Sequence, residues 1–295
     1  INMIIIAVFS IILSVISPAL GLILIILYAN QIKLLDTTKY ITFYSVWAAL
    51  CTILYLIEAI DLLTFYNIAL NVGLLSFIAI EMLKREKYLE NIMLTAFGFT
   101  GIVAALKYYL FNEKVVTAIN DSTNLLANLL NERFSKGTDD YQMIINTLNA
   151  SKDLYMKLYY SFAVFTMIIA LWIGFIFVNK KLFRPYSHSR YNNSNVLIAI
   201  VIIALFLIIN PGTKVLGINI LIPCIALYFI QGLSVVAFYF GRIIKGSKML
   251  LFIGILSLIF NPYLIVFLAF LGFVDNWADI RKLNKTEKTN ENNIN

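Results

Sequence analysis

Val196-Leu-Ile-Ala-Ile-Val-Ile-Ile-Ala-Leu-Phe-Leu-Ile-Ile209 carries no charge, glycine or proline, and Asn210-Pro211-Gly212 stops it. The run is continuous rather than alternating, so it reads as a helix in hydrocarbon and not as a barrel strand. Outward from it, similar tracts recur near 3–29, 40–57, 62–80, 91–111, 156–179, 217–240 and 248–272, separated by short clusters of charge. Most approach the roughly 20 residues that a helix needs to cross a bilayer. Hydrophobic residues make up 61% of the chain and charged residues 13%, and a soluble fold cannot hide so many apolar tracts. The expected fold is all-α, a polytopic transmembrane bundle of about eight apolar segments.

The basic residues alternate between connections. Lys33 and Lys39 follow the first tract, none lies across Glu58 to Asp61, and Lys84, Arg85 and Lys87 come next. Lys180, Lys181, Arg184 and Arg190 share one loop, Lys214 stands alone, and Arg242, Lys245 and Lys248 follow. By the positive-inside rule the basic loops are cytoplasmic and the 112–155 segment lies outside. The expected location is a bacterial inner (cytoplasmic) membrane. Eight simple crossings then leave both ends outside, yet Arg281, Lys282, Lys285 and Lys288 favour the cytoplasm. Pro18 and Asn261-Pro262 interrupt the first and last tracts, and each break admits two readings: a kinked single span, or two short helices that turn back. The first tract lacks a basic leader and a small-residue cleavage site, so it is expected to be retained.

The chain divides into a four-span region at 1–111, a polar insertion at 112–155, a second membrane region at 156–283 and a disordered cytoplasmic-type tail at 284–295. In the insertion, Ile119, Leu125, Leu126, Leu129 and Leu130 recur at helical spacing, which suggests an amphipathic helix on the membrane surface or over the mouth of the bundle. Ser135 to Asp140 reads as a turn. Glu58 and Asp61 read as solvated turn residues, and Lys107 is expected to reach the outer interface with Glu113 nearby.

Polar groups in the second half give the candidate site. Asn219, Gln231 and Asn261 are candidate ligand contacts, because helix breaks near the membrane expose backbone dipoles that receive polar solutes. Pro211, Gly212, Pro223 and Gly232 mark the breaks or close packing. Catalysis has little support. His188 stands in a basic loop with no acid beside it, and no phosphate-binding glycine loop or His-Glu-x-x-His metal pattern occurs. Cys51 and Cys224 lie in apolar tracts and read as packing residues, with no metal or other cofactor expected. The net charge of +7 sits beside apolar spans, where lipid headgroups rather than nucleic acid are the partner.

The C-terminal quarter carries a family resemblance. Asn219-Ile-Leu-Ile-Pro223, Gln231-Gly232 within a span, Pro262 in the last tract and the exit Gly272, Asp275, Trp277, Asp279 and Arg281 resemble the YybS-like bacterial membrane proteins, domain of unknown function 2232. Ile280 stands where that pattern has an aromatic residue. The layout of four spans, a polar insertion and four further tracts is similar as well. The family is similar in character to the small substrate-binding components of energy-coupling-factor transporters, which work with a separate ATPase. The resemblance thus implies a solute-binding or permease-like component with a small solute and a partner protein; the alternative is a non-enzymatic envelope assembly or regulatory protein. For the latter, Asp275, Trp277, Asp279 and Arg281 are candidate docking residues at the membrane interface.

Overall fold

The computed structural model describes residues 2–31, 37–85, 87–133, 139–176, 190–246 and 261–283, and all regular secondary structure among them is helical. The first apolar tract is two helices, α1 (Asn2–Ile16) and α2 (Pro18–Gln31). Pro18 occupies the first helical position of α2, where its missing N–H costs nothing. Ser17 C=O accepts from Leu20 N and Gly21 N at 3.0 and 3.3 Å and so begins the new helix. The chain reverses there. A Cβ on Gly21 would lie 2.8 Å from Ser10 O and 1.8 Å from Ser14 Oγ, whereas a continuous helix would hold residues 10 and 21 about 16 Å apart. The tract around Pro18 is thus two helices in close contact with each other.

The next two helices are α3 (Thr37–Leu56) and α4 (Leu62–Lys84). Trp47 Nε1 on α3 donates to Ser10 Oγ at 2.9 Å and ties α1 into the bundle. Glu58 takes a left-handed conformation, and Asp61 caps α4 by accepting from Thr64 N at 2.9 Å. These two acids end one helix and start the next, the turn role that their spacing suggested. In the middle of α4, Asn67–Leu74 widens into a π-helix.

Two long helices follow, α5 (Leu89–Arg133) and α6 (Asp139–Ile176). At 45 and 38 residues and ~1.5 Å per residue they are much longer than the ~30 Å hydrocarbon core, so their paired ends run on beyond it. No glycine or proline stands between Ile102 and Arg133 to stop α5. The apolar repeat at Leu125, Leu126 and Leu129 therefore belongs to the far end of α5 rather than to a separate surface helix, and these side chains are exposed. Of the turn expected at 135–140, residues 135–138 lie outside the described residues and Asp139 opens α6.

The second half holds α7 (Asn195–Ile209), α8 (Lys214–Gly246) and α9 (Pro262–Ala278). Asn210-Pro211-Gly212 is the turn between α7 and α8: Asn210 Oδ1 accepts from Gly212 N at 3.0 Å, and Thr213 Oγ1 donates to Leu207 O at 2.8 Å. Asn261 begins α9 in extended conformation, its side chain accepting from Tyr263 N at 3.1 Å, with Pro262 next. The last tract therefore contains a helix start at this point, and its 248–260 half lies outside the described residues.

Among the described residues five helices are long and apolar enough to cross a membrane: Thr37–Leu56, Leu62–Lys84, Leu89–Glu132, Tyr141–Ile176 and Lys214–Phe240. The shorter apolar helices pack on them. Phe9, Ile12, Phe206, Ile209, Phe267 and Phe270 face outward, while Ser10, Ser14, Ser76, Thr100 and Gln231 are buried. Small polar residues inside a largely apolar core, under an apolar exterior, suit a bundle whose outer solvent is lipid. The protein is an all-α, multi-pass membrane protein.

Candidate functional site

Between α5, α6 and α8 runs a groove of about 1190 Å³. Its deep end is apolar, with Phe97, Gly98, Gly101, Ile102, Val164 and Pro223 on the walls. A Cβ added at Gly98 or Gly101 would meet nothing within 4 Å, so these glycines widen the groove rather than permit helix contact. Its other end is polar. Asn112, Asp153, Lys157, Tyr160 and Asn219 gather there, together with Val215 and Leu216 from the first turn of α8.

The polar end is braced across its three helices. Tyr160 Oη donates to Asn112 Oδ1 at 3.1 Å, linking α6 to α5. Asn219 Nδ2 donates to Lys157 O at 2.9 Å and to Val215 O at 2.8 Å, linking α8 to α6. Asp153 and Lys157 are one helical turn apart on α6, exposed, and in no ion pair among the described residues. Of the three candidate ligand contacts named from the sequence, Asn219 alone lines this groove.

Gln231 belongs to a second polar cluster, where α8 meets α9. Its Nε2 donates to Asp275 Oδ2 and to Asn192 Oδ1, both at 2.8 Å, and its Oε1 accepts from Asn193 N at 3.0 Å. Asn193 Nδ2 continues to Leu227 O at 3.1 Å, and Tyr191 Oη donates to Asn193 Oδ1 at 2.6 Å. The amide is wholly buried with its donors and acceptor used, so it ties the entry of α7 to α8 and α9. Asn261 lies apart, as the cap of α9.

The four exit residues also separate. At the end of α9, Asp279 adopts φ 46° and ψ 52°, and its N–H donates to Asp275 O at 2.9 Å. This left-handed cap turns the chain so that Arg281 folds back. Arg281 Nη2 meets Asp275 Oδ2 at 2.6 Å, Nε adds contacts at 3.1 and 3.2 Å, and Nη2 donates to Tyr191 O at 2.7 Å. Both side chains are buried, so this pair is an internal clasp. Asp279 Oδ1 accepts from Leu283 N at 2.9 Å, and Trp277 alone projects, 79% exposed. Next to the clasp, Tyr228 Oη and the Asn276 amide are buried side by side, with no hydrogen bond of ordinary geometry to either among the described residues.

Close helix contact accompanies the clasp. A Cβ at Gly232 would fall 1.9 Å from Leu268 O, and one at Gly272 would fall 2.0 Å from Tyr228 O. Gln231 meets Asp275, and further along both helices Tyr239 Oη donates to Ile280 O at 3.0 Å, so α8 and α9 point the same way.

Lys107 does not reach the surface. It is 4% exposed, and its Nζ donates to Tyr159 Oη at 2.7 Å instead of pairing with Glu113. Cys51 and Cys224 are buried in helix contacts. No group of three or more His, Cys, Asp or Glu side chains among the described residues is arranged to hold a metal, and His188 lies outside them.

Sequence reading missed Asn112, Asp153, Lys157 and Tyr160, because the groove draws on helices distant in the chain. The small residues Gly98, Gly101, Ala104 and Ala105, close together in one span, were the available signal. A family model described as "Predicted membrane protein (DUF2232)" matches residues 4–276. No curated protein and no solved structure matches the chain.

Proposed function

The chain belongs to the DUF2232 family of predicted membrane proteins, and on that footing we propose that it is a solute-binding, permease-like transport component whose site is the groove between α5, α6 and α8. The observation that carries this reading is the groove itself: about 1190 Å³, apolar along its depth and polar at one end. Ligand pockets commonly hold ~300–1,000 Å³ and combine apolar walls with a few placed polar groups. The energy source on this reading is a partner module. Filling the groove tests it. Gly101→Trp has open space at its Cβ, so the bundle keeps its fold while the groove closes. Native mass spectrometry of protein extracted from its host membrane is expected to find a bound small molecule on the wild type and none on Gly101→Trp. Equal spectra, with the solute present on both or absent from both, contradict the reading.

Topology is part of the same proposal. With α1 and α2 as a re-entrant pair, the chain enters and leaves the bilayer on the cytoplasmic side before α3. The helices then alternate so that the polar end of the groove opens outward. Because α8 and α9 point the same way, both end on one side, which on this topology is the cytoplasmic side and is where Arg281 then lies. The conflict between the basic tail and the positive-inside rule disappears. Single cysteines introduced at Met3, Thr38, Asp61 and Glu113 check this with a membrane-impermeant maleimide on intact cells; Cys51 and Cys224 are buried and give little background. Labelling is expected at Asp61 and Glu113 only. A labelled Met3 position beside an unlabelled Thr38 position would show instead that α1 and α2 cross as one span.

A further inference from the structure

We infer that the groove takes a phospholipid whose headgroup carries both a phosphate and an amine, with its acyl chains in the apolar depth; this rests on the groove being the solute site. The lining changes character along its length. From Phe97 to Val116 on α5 it runs about 28 Å at 1.5 Å per residue, longer than one leaflet's half of a ~30 Å core. A small polar solute would leave such a wall uncovered, whereas an acyl chain covers it and removes apolar surface from water where the groove leaves the membrane.

The polar end supplies two opposite charges rather than one. Lys157 stands beside the first turn of α8, whose Val215 and Leu216 line the groove. The N–H groups of a helix's first turn have no acceptor within the helix and carry its positive end, so this corner suits a phosphate. Asp153 lies one turn further from the membrane on α6, and Asn219 spends its Nδ2 on backbone carbonyls, leaving Oδ1 as an acceptor on the same rim. A carboxylate and an amide oxygen beside a cationic corner match an ammonium joined to the phosphate by a short linker. Since Asp153 and Lys157 do not pair with each other, both charges are available to the headgroup. An anionic lipid without the amine would meet Asp153 with the wrong sign.

The test uses the full chain, delipidated in a neutral detergent and titrated with fluorescent lipids of identical acyl chains: phosphatidylethanolamine, phosphatidylglycerol and diacylglycerol. Phosphatidylethanolamine is expected to bind about tenfold tighter than either of the others, a difference of ~1.4 kcal/mol. Lys157→Gln and Asp153→Asn are each expected to erase most of that preference while leaving diacylglycerol binding unchanged. Gly101→Trp removes binding of all three. Equal affinity for the three lipids in the wild type, lost in Gly101→Trp, overturns the headgroup assignment but leaves the groove as a binding site. Binding that Gly101→Trp does not alter, or no binding at all, overturns the groove reading with it.

Discussion

Arg281→Ala is expected to cost about 3–5 kcal/mol of bundle stability, the typical effect of leaving one member of a buried ion pair alone. Asp275 keeps its Gln231 contact in that variant but loses the guanidinium, and Tyr191 O loses its donor. Asp275→Ala should cost a similar amount, because a buried guanidinium then loses its carboxylate. The double variant Asp275→Leu/Arg281→Leu should recover much of the loss, since a whole buried pair replaced by apolar side chains is often close to neutral. Unfolding by sodium dodecyl sulfate in mixed micelles, followed by circular dichroism, measures all three. Single variants within experimental error of the wild type would show that Arg281 is solvated and that the clasp is absent in the membrane.

The second large effect concerns the contact of α8 with α9. Gly272→Ala places a Cβ 2.0 Å from Tyr228 O, and Gly232→Ala places one 1.9 Å from Leu268 O. Backbone atoms cannot rotate out of the way, so the helices must separate, at about 1–3 kcal/mol or more for such overpacking. The Gln231–Asp275 hydrogen bond lies at the same contact and should lengthen with it. The same substitution at Gly98 or Gly101 has the opposite sign, because the new methyl meets nothing and alanine is favoured over glycine in a helix by up to ~1 kcal/mol. The same unfolding assay reads both pairs. Destabilisation at Gly101 equal to that at Gly272 would mean that the groove is closed by packing.

Local physics made much of the fold legible. Charge-free runs such as Val196 to Ile209 must be kept from water by protein or lipid, and Pro18 and Pro262 mark helix starts because proline donates no hydrogen bond. Asn210-Pro211-Gly212 and the Glu58 to Asp61 turn were readable for similar reasons. The clasp was not. It depends on a left-handed conformation at Asp279, a residue that also continues helices, so the sequence suggested docking residues at the membrane interface and not an internal pair. Gln231 was visible as a polar residue in a span, but whether its amide faces a cavity or a partner depends on Asn193 and Asp275, 38 residues before it and 44 after it. Asn219 was selected for its helix break and proves to brace the rim of the groove through Lys157 O.

The central claim, that an amphiphile occupies the groove between α5, α6 and α8, is tested most directly by a photoreactive side chain at Ile102, with Phe206 on the outer face as the control. Protein carrying benzoylphenylalanine at either position is delipidated, given one equivalent of phosphatidylethanolamine, washed in detergent, illuminated and weighed intact. One covalent acyl-chain adduct per protein is expected at Ile102 and little at Phe206, because only the groove retains its occupant. Equal adducts at both positions, or adducts at Phe206 alone, would show a surface wetted by lipid and no site.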